Sequence, residues 1–258
     1  NTEIVILCGG KGTRLSEETL LKPKPMVEVA GKPILTHIMN CYSSYGFNNF
    51  TLALGYKGDL IKEYFLNYKK ISSNLRIEMS EENLKYINKN IMDWNINLIN
   101  TGQEVMTGGR LLRLSNILSK NEYFMLTYGD GLCDVNINEL LDFHISHGKI
   151  GTVTAVKPQA RFGSLKLKEN MVSRFDEKNI DNQDWINGGF FVFGKKIFDY
   201  LQDDQTILER SPLENLSKDN ELVAFKHHGY WQCMDTLRDK EILEESFNNG
   251  SPLWAKKI

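Results

Sequence analysis

Three largely apolar runs punctuate the first half of the chain: Ile4–Cys8, Phe50–Leu54 and Tyr123–Thr127. Runs of this length without a polar alternation predict strands buried on both faces. Between the first two, Ile34, Leu35, Ile38, Met39 and Tyr42 fall on one helical face, and Gly46 is placed to end that helix. Asp59 is expected to cap a short helix through Phe65. Arg76–Met79 and Asn95–Ile99 read as further strands, and the polar stretch between them takes no assignment. Thr107–Leu118 predicts a helix with Leu111, Leu114 and Leu118 turned inward.

This alternation of strand and helix predicts an α/β protein with a doubly wound, mainly parallel sheet of Rossmann-like type. The second half changes character. A helix over Ile137–His147 and a strand over Thr152–Val156 are followed by short strands at Ser164–Leu167 and Met171–Asp176. Gly188–Phe193 reads as an aromatic-rich strand, Ser211-Pro212 as a helix start with proline at its first position, and Thr236–Phe247 as a closing amphipathic helix. No linker, repeat or low-complexity segment separates the halves. The expectation is one domain over 1–258, with halves 1–135 and 136–258 sharing one sheet.

Length and charge narrow the classes. A chain of 258 residues can bury a full core, and 31 basic against 33 acidic residues leave no electrostatic footprint for nucleic acid. Its apolar runs are too short to span a bilayer, and no charged-then-apolar leader opens it, so no membrane partner is expected. Cys8, Cys41, Cys133 and Cys233 stand alone, which argues against zinc and disulfides and for reduced thiols in the cytoplasm. The five histidines have no metal-ligand spacing, and His227-His228 would point apart on a strand. Serine and histidine form no recognisable nucleophile set.

Chemistry concentrates where the first strand ends. Gly9, Gly10 and Gly12 leave a loop nearly free of side chains, so backbone N–H groups can approach an anion, and Lys11, Arg14, Lys22, Lys24 and Lys32 crowd the same segment. A strand end, a glycine loop and clustered cations together read as a triphosphate site. Neither G-x-x-x-x-G-K-[ST] nor G-x-G-x-x-G is present, since Leu15 stands where the last glycine of the second motif belongs. Taken alone, Lys22 and Lys24 also suit a solvated, proline-punctuated loop, and Asp130 between two glycines also suits an ordinary turn.

The motifs G-G-x-G-T-R-L, K-P-K-P-M and G-K-P-I-L resemble the opening of the sugar-1-phosphate nucleotidyltransferases. LSEET directly after GTRL resembles the glucose-1-phosphate cytidylyltransferases within them. Matches continue in order through MTGGRL (106–111), YGDG (128–131), RFG (161–163), INGGFFVF (186–193) and WQCMDTLRDK (231–240).

The resemblance implies a nucleotidyltransferase fold of GT-A-like type, with a nucleotide half before 136 and a sugar half after it. It implies CTP and a sugar 1-phosphate as partners, Mg²⁺ as cofactor, and a homo-oligomer that can reach a hexamer. The product, CDP-glucose, would feed deoxysugar synthesis for surface polysaccharide. By the same resemblance Arg14 and Lys24 are the catalytic cations, on the β,γ- and α-phosphates respectively. Gly9, Gly10, Gly12, Thr13, Lys22, Thr107, Gly109 and Arg110 would hold the nucleotide. Tyr128, Asp130, Glu177, Lys178, Asn187, Gly188 and Gly189 would meet the sugar phosphate, and Asp130 and Asp235 the metal. Read without the family, Met-Asp-Thr at Asp235 is only a helix cap and Glu177-Lys178 a surface charge pair.

The chain departs from the family pattern at Lys11, where leucine is common, at Asn179 after Glu177-Lys178, where proline is common, and at Cys233, where proline is common. These leave the sugar open. Another acceptor, or UTP or dTTP as donor, stays an alternative, as does a non-catalytic nucleotide-sensing subunit.

Overall fold

In the computed structural model, which describes residues 2–80, 83–89, 91–158, 164–176, 184–249 and 254, the first apolar run becomes β1 (Glu3–Cys8), buried from Ile4 onward. β2 (Asn49–Leu54) runs parallel beside it and β3 (Asn95–Asn100) beyond that, while β4 (Tyr123–Tyr128) flanks β1 on the other side, also parallel. The sheet continues through β5 (Gly151–Val156), β6 (Phe191–Gly194) and β7 (Leu222–His227) in the order β3-β2-β1-β4-β6-β5-β7. β6 is antiparallel to both β4 and β5, and β7 is parallel to β5. The two-residue strand Ile186–Asn187 also pairs with β5, making eight strands among the described residues. The sheet is mixed and mainly parallel, and it draws strands from both halves of the chain.

Alternate residues of β1 enter different cores, the period-two consequence of a strand covered on both faces. Ile4, Ile6 and Cys8 pack with α1 (Ile34–Ser43), with Ile61 of α2 (Gly58–Ile71) and with Met125 and Val192. Val5 and Leu7 pack on the opposite face with Leu111 of α3 (Thr107–Arg113), Phe124, Leu126, Phe191 and Phe193. Leu140 of α4 (Ile137–His147) joins the first core, Leu216 of α5 (Ser211–Lys218) the second, and Leu243 of α6 (Leu237–Asn248) the first.

Several predicted elements shift. Asp59 does not cap its helix: the N-cap is Lys57 in a left-handed conformation (φ 50°), and Asp59 sits in the first turn, 3.2 Å from Lys62. The helix also runs past Phe65 to Ile71. The predicted helix Thr107–Leu118 breaks at Leu114 into α3 and a short turn Ser115–Leu118, although Leu111, Leu114 and Leu118 are all buried. The predicted strand Arg76–Met79 forms as Ser73–Glu78, in a hairpin outside the main sheet with Asn83–Lys89, which lies in the unassigned polar stretch. Trp94 ties its far end back, 5.4 Å from the Tyr68 ring and 6.1 Å from Phe50.

The predicted strand Gly188–Phe193 is interrupted. Asn187 pairs with Ala155 and Val192 with Thr152, so three steps along β5 face five on the other strand. The surplus is taken up by a bulge at Gly188-Gly189-Phe190, with φ of 75° at Gly189 and 47° at Phe190. Among the described residues no helix is long and apolar enough to cross a membrane.

Candidate active site

β1 and β4 run parallel, so the glycine loop after Cys8 and the turn after Tyr128 leave the sheet at the same edge. Beyond that edge lies a cavity of about 430 Å³. Gly9, Gly10, Gly12, Thr13 and Arg14 form one wall, Met106, Thr107 and Arg110 another, and Lys24, Asp130 and Asp235 meet there as well. Gly12 is required by its backbone: φ is 62°, and a Cβ there would lie 2.9 Å from the Thr19 methyl.

Asp130 and Asp235 are 105 residues apart in sequence, and a small ladder brings them together. Gly131–Cys133 pairs antiparallel with Trp231–Cys233, and the Met234 N–H donates to the Asp130 carbonyl at 2.8 Å. Asp235 therefore stands opposite Asp130 just past the ladder. Its own backbone N–H donates to Asp239 Oδ2 (3.1 Å), the carboxylate that closes a capping box with Thr236 at the start of α6. The helix cap proves to be Thr236, which leaves the Asp235 carboxylate for the cavity.

Lys24, from the short turn Lys24–Met26 after Pro23, places Nζ 2.6 Å from Asp130 Oδ2 and 2.5 Å from Asp235 Oδ1. Those two carboxylate oxygens are thus no more than about 5 Å apart. Arg14 Nη1 donates to Asp235 Oδ2 at 2.7 Å. Burial disfavours the Lys24 ammonium, but Asp130 and Asp235 outweigh it and hold its pKa above the usual lysine value. A site that already stabilises positive charge between two carboxylates has the donor chemistry of a hard divalent cation. Cys8 lines the same cavity with a thiol whose pKa burial pushes far up, so it offers no thiolate nucleophile.

Arg110 borders the cavity but spends its guanidinium elsewhere. It donates to the carbonyls of Gly9 (3.0 Å), Leu54 (3.2 Å), Gly102 (2.6 Å) and Gln103 (3.2 Å) and to Thr101 Oγ1 (2.8 Å). These oxygens cap the carboxyl ends of β1, β2 and β3, so one side chain braces three adjacent strand ends beneath the glycine loop. Gly109 faces away from the cavity: a Cβ there would lie 2.4 Å from the Asp204 carbonyl oxygen, so its lack of a side chain serves packing of α3 on that loop. Lys22 does not line the cavity and stands 3.5 Å from Glu28 and 3.9 Å from Glu18.

Tyr128 and Thr107 meet at Glu209, which sequence reading missed. Thr107 Oγ1 donates to Glu209 Oε2 at 2.6 Å and Tyr128 OH to Oε1 at 2.7 Å. Burial first, then the Glu209 carboxylate, raises the Tyr128 pKa and keeps the phenol a donor. Asn187 Nδ2 donates to the Tyr128 oxygen (3.2 Å), and the Gly189 N–H to Asn187 Oδ1 (2.8 Å). Gly188 N–H donates to Thr154 O at 2.9 Å, within the bulge. Glu177, Lys178 and the RFG motif lie outside the described residues. His227 and His228 do point apart, to Asp134 (2.8 Å) and to the Trp185 ring (5.1 Å). Cys133, Asp134 and His227 bring ligand atoms within 4.8 Å of one another, but Cys133 is fully buried with its thiol pKa raised by desolvation.

The model of the nucleotidyl transferase family matches residues 3–238. The chain is 48% identical over 250 residues to the glucose-1-phosphate cytidylyltransferase of Salmonella typhimurium, covering 97% of both. It is 42% identical to the probable glucose-1-phosphate cytidylyltransferase of Bacillus subtilis, covering 97% of this chain and 98% of that one. Among solved structures, HddC from Yersinia pseudotuberculosis complexed with GMP-PN superposes with a TM-score of 0.70 at 24% identity, over 96% of this chain and 100% of the other. A UDP-glucose pyrophosphorylase complexed with UDP-glucose gives 0.67 at 13% identity, over 97% and 99%. The family model and the two relatives carry the family and the two structures the fold: the chain belongs to the nucleotidyl transferase family.

Proposed function

We propose that the protein joins CTP to α-D-glucose 1-phosphate, releasing CDP-glucose and pyrophosphate. An oxygen of the sugar phosphate attacks the α-phosphorus in line, a new P–O bond forms, and the bond to the β-phosphate oxygen breaks with its electrons leaving on pyrophosphate. Two anions must approach while charge grows on the leaving group, so the protein's task is positioning and neutralisation. The backbone amides of Gly9, Gly10 and Gly12, with Thr13, receive the triphosphate. Arg14 presents its planar fork to the β- and γ-phosphate oxygens, and Lys24 carries its charge to the α-phosphate and the incoming sugar phosphate.

Asp130 and Asp235 would hold a divalent cation, Mg²⁺ in this proposal, whose chemistry is to offset the triphosphate charge. The observation that carries the reading is Lys24 Nζ held between Asp130 and Asp235 beside the glycine loop. A nucleotide-sensing subunit has no need of Arg14, Lys24 and both aspartates in one cavity. Asn187, Gly188 and Gly189 stand on the sugar side.

Pyrophosphate release measured with four nucleotides and several sugar phosphates tests the assignment. CTP with glucose 1-phosphate should be the preferred pair, and preference for another pair overturns it. A cytoplasmic setting belongs to the same proposal, supported by four cysteines without disulfides. So does a homo-oligomer, up to a hexamer. Such an assembly would cover exposed apolar side chains such as Ile77, Met79 and Ile87, and sedimentation of the purified chain measures it.

A further inference from the structure

Thr107 opens α3 on the nucleotide wall of the cavity, Tyr128 ends β4 on the floor, and Glu209 stands behind both, outside the cavity lining. The hydrogen bonds that meet at Glu209 take their directions from donors at the outer ends and an acceptor at the centre. The Leu208 backbone N–H can only donate, and at 2.9 Å it does so to Thr107 Oγ1. The Thr107 proton is then free for Glu209 Oε2. On the other arm the Gly189 N–H donates to Asn187 Oδ1, which turns Asn187 Nδ2 toward the Tyr128 oxygen. That oxygen accepts, so the Tyr128 proton goes to Glu209 Oε1.

Each hydroxyl oxygen thus accepts from an outer donor and turns its proton toward one point. Only a group with two acceptors and no proton satisfies them both, and a carboxylate is that group. A glutamine in the same place has one acceptor oxygen and one donor NH₂, so one arm would have to reverse. The described hydrogen bonds of Glu209 come from these two hydroxyls alone.

We infer that Glu209 is a positioning residue that locks Thr107 on the nucleotide side and Tyr128, Asn187 and Gly189 on the sugar side into one hydrogen-bond polarity, and so couples the two substrate subsites. The inference rests on the proposed placing of nucleotide and sugar phosphate. It predicts which arm each substitution disturbs. Thr107→Val removes the hydroxyl of the nucleotide arm, and Tyr128→Phe that of the sugar arm. Glu209→Ala removes the shared acceptor. Glu209→Gln reverses the Thr107 arm, because a threonine hydroxyl rotates freely while a phenol proton prefers its ring plane.

The experiment is steady-state kinetics of pyrophosphate release, with KM for CTP, KM for glucose 1-phosphate and kcat read separately for each variant, beside thermal melting. Glu209→Ala should raise both KM values about tenfold, the scale of one lost hydrogen bond to a charged group. Thr107→Val should raise mainly the CTP value and Tyr128→Phe mainly the sugar phosphate value. Adding Glu209→Ala to the Thr107→Val/Tyr128→Phe double variant should change neither KM further, a non-additivity that general loosening of the fold would not produce.

Should Glu209→Ala fail to fold, Glu209→Gln is read instead, with a raised CTP KM and a near-native sugar phosphate KM expected. Unchanged KM values in the folded Glu209 variant, or full additivity on the double variant, overturn the inference. The wild-type chain run in parallel separates the two claims. If it prefers another substrate pair, the proposed function falls, and the coupling is read on the pair it does use.

Discussion

Replacing Arg110 with methionine removes five hydrogen bonds while nearly keeping the side-chain volume. The expected loss is much less than five bonds suggest. Leu54 O keeps two other donors, the Thr101 N–H (2.8 Å) and Thr101 Oγ1 (2.7 Å), and Gly9 O keeps the Tyr56 N–H (3.2 Å). Gly102 O and Gln103 O lose the donors described for them, and both are partly buried contacts that water can reach in part. At about 1–2 kcal/mol for each such acceptor, the low end for a buried orphan, Arg110→Met should cost about 2–4 kcal/mol. For a chain of this size that is a fall of roughly 4–7 °C in melting temperature. Denaturant unfolding and CTP titration on the same sample separate brace from ligand contact. The brace account expects lower stability, with CTP affinity weakened because the loop above Gly9 loses its floor. Native stability with lost CTP affinity would refute it and make Arg110 a direct nucleotide contact.

Acid should destabilise the fold through His144, which is fully buried between Thr152, His147 and the Tyr123 ring, with its pKa lowered to about 4 by burial first and His147 second. The unfolded chain takes up this proton near pH 6.5 and the folded one only near 4, so stability falls as pH drops through that window, by on the order of 3 kcal/mol. Denaturant midpoints from pH 7 to 4 measure the slope, and His144→Phe should flatten it. Gly109→Ala drives a methyl to 2.4–2.7 Å from the Asp204 backbone. It should cost at least about 2 kcal/mol in unfolding experiments, and a near-neutral result would mean that α3 does not rest on that loop. Asp130→Asn should shift the metal titration of activity sharply upward, and an unchanged titration removes Asp130 from the ligand set.

The central strands were readable because a strand covered on both faces must be apolar throughout, as Ile4–Cys8 is. α1 was readable because Ile34, Leu35, Ile38, Met39 and Tyr42 repeat at helical spacing. The bulge at Gly188-Gly189-Phe190 was not, since Phe190 adopts a positive φ that no local signal announces. Sequence motifs marked Asp130 and Asp235 separately, but only the ladder between Gly131–Cys133 and Trp231–Cys233 explains why they meet. Glu209 stayed hidden because its partners lie 81 and 102 residues away and its own neighbours, Leu208 and Arg210, carry no pattern. Arg110 was marked by its motif, yet its role as a brace depends on three strand ends that only the folded sheet brings together.

Turnover of Lys24→Ala at saturating CTP, glucose 1-phosphate and metal tests the central claim most directly, because Lys24 is the cation held between both aspartates in the glycine-loop cavity. The account predicts pyrophosphate release slower by roughly 10²–10³, as when other preorganised donors to developing charge are removed. A rate within about threefold of the native enzyme would place Lys24 outside the chemistry and contradict the account.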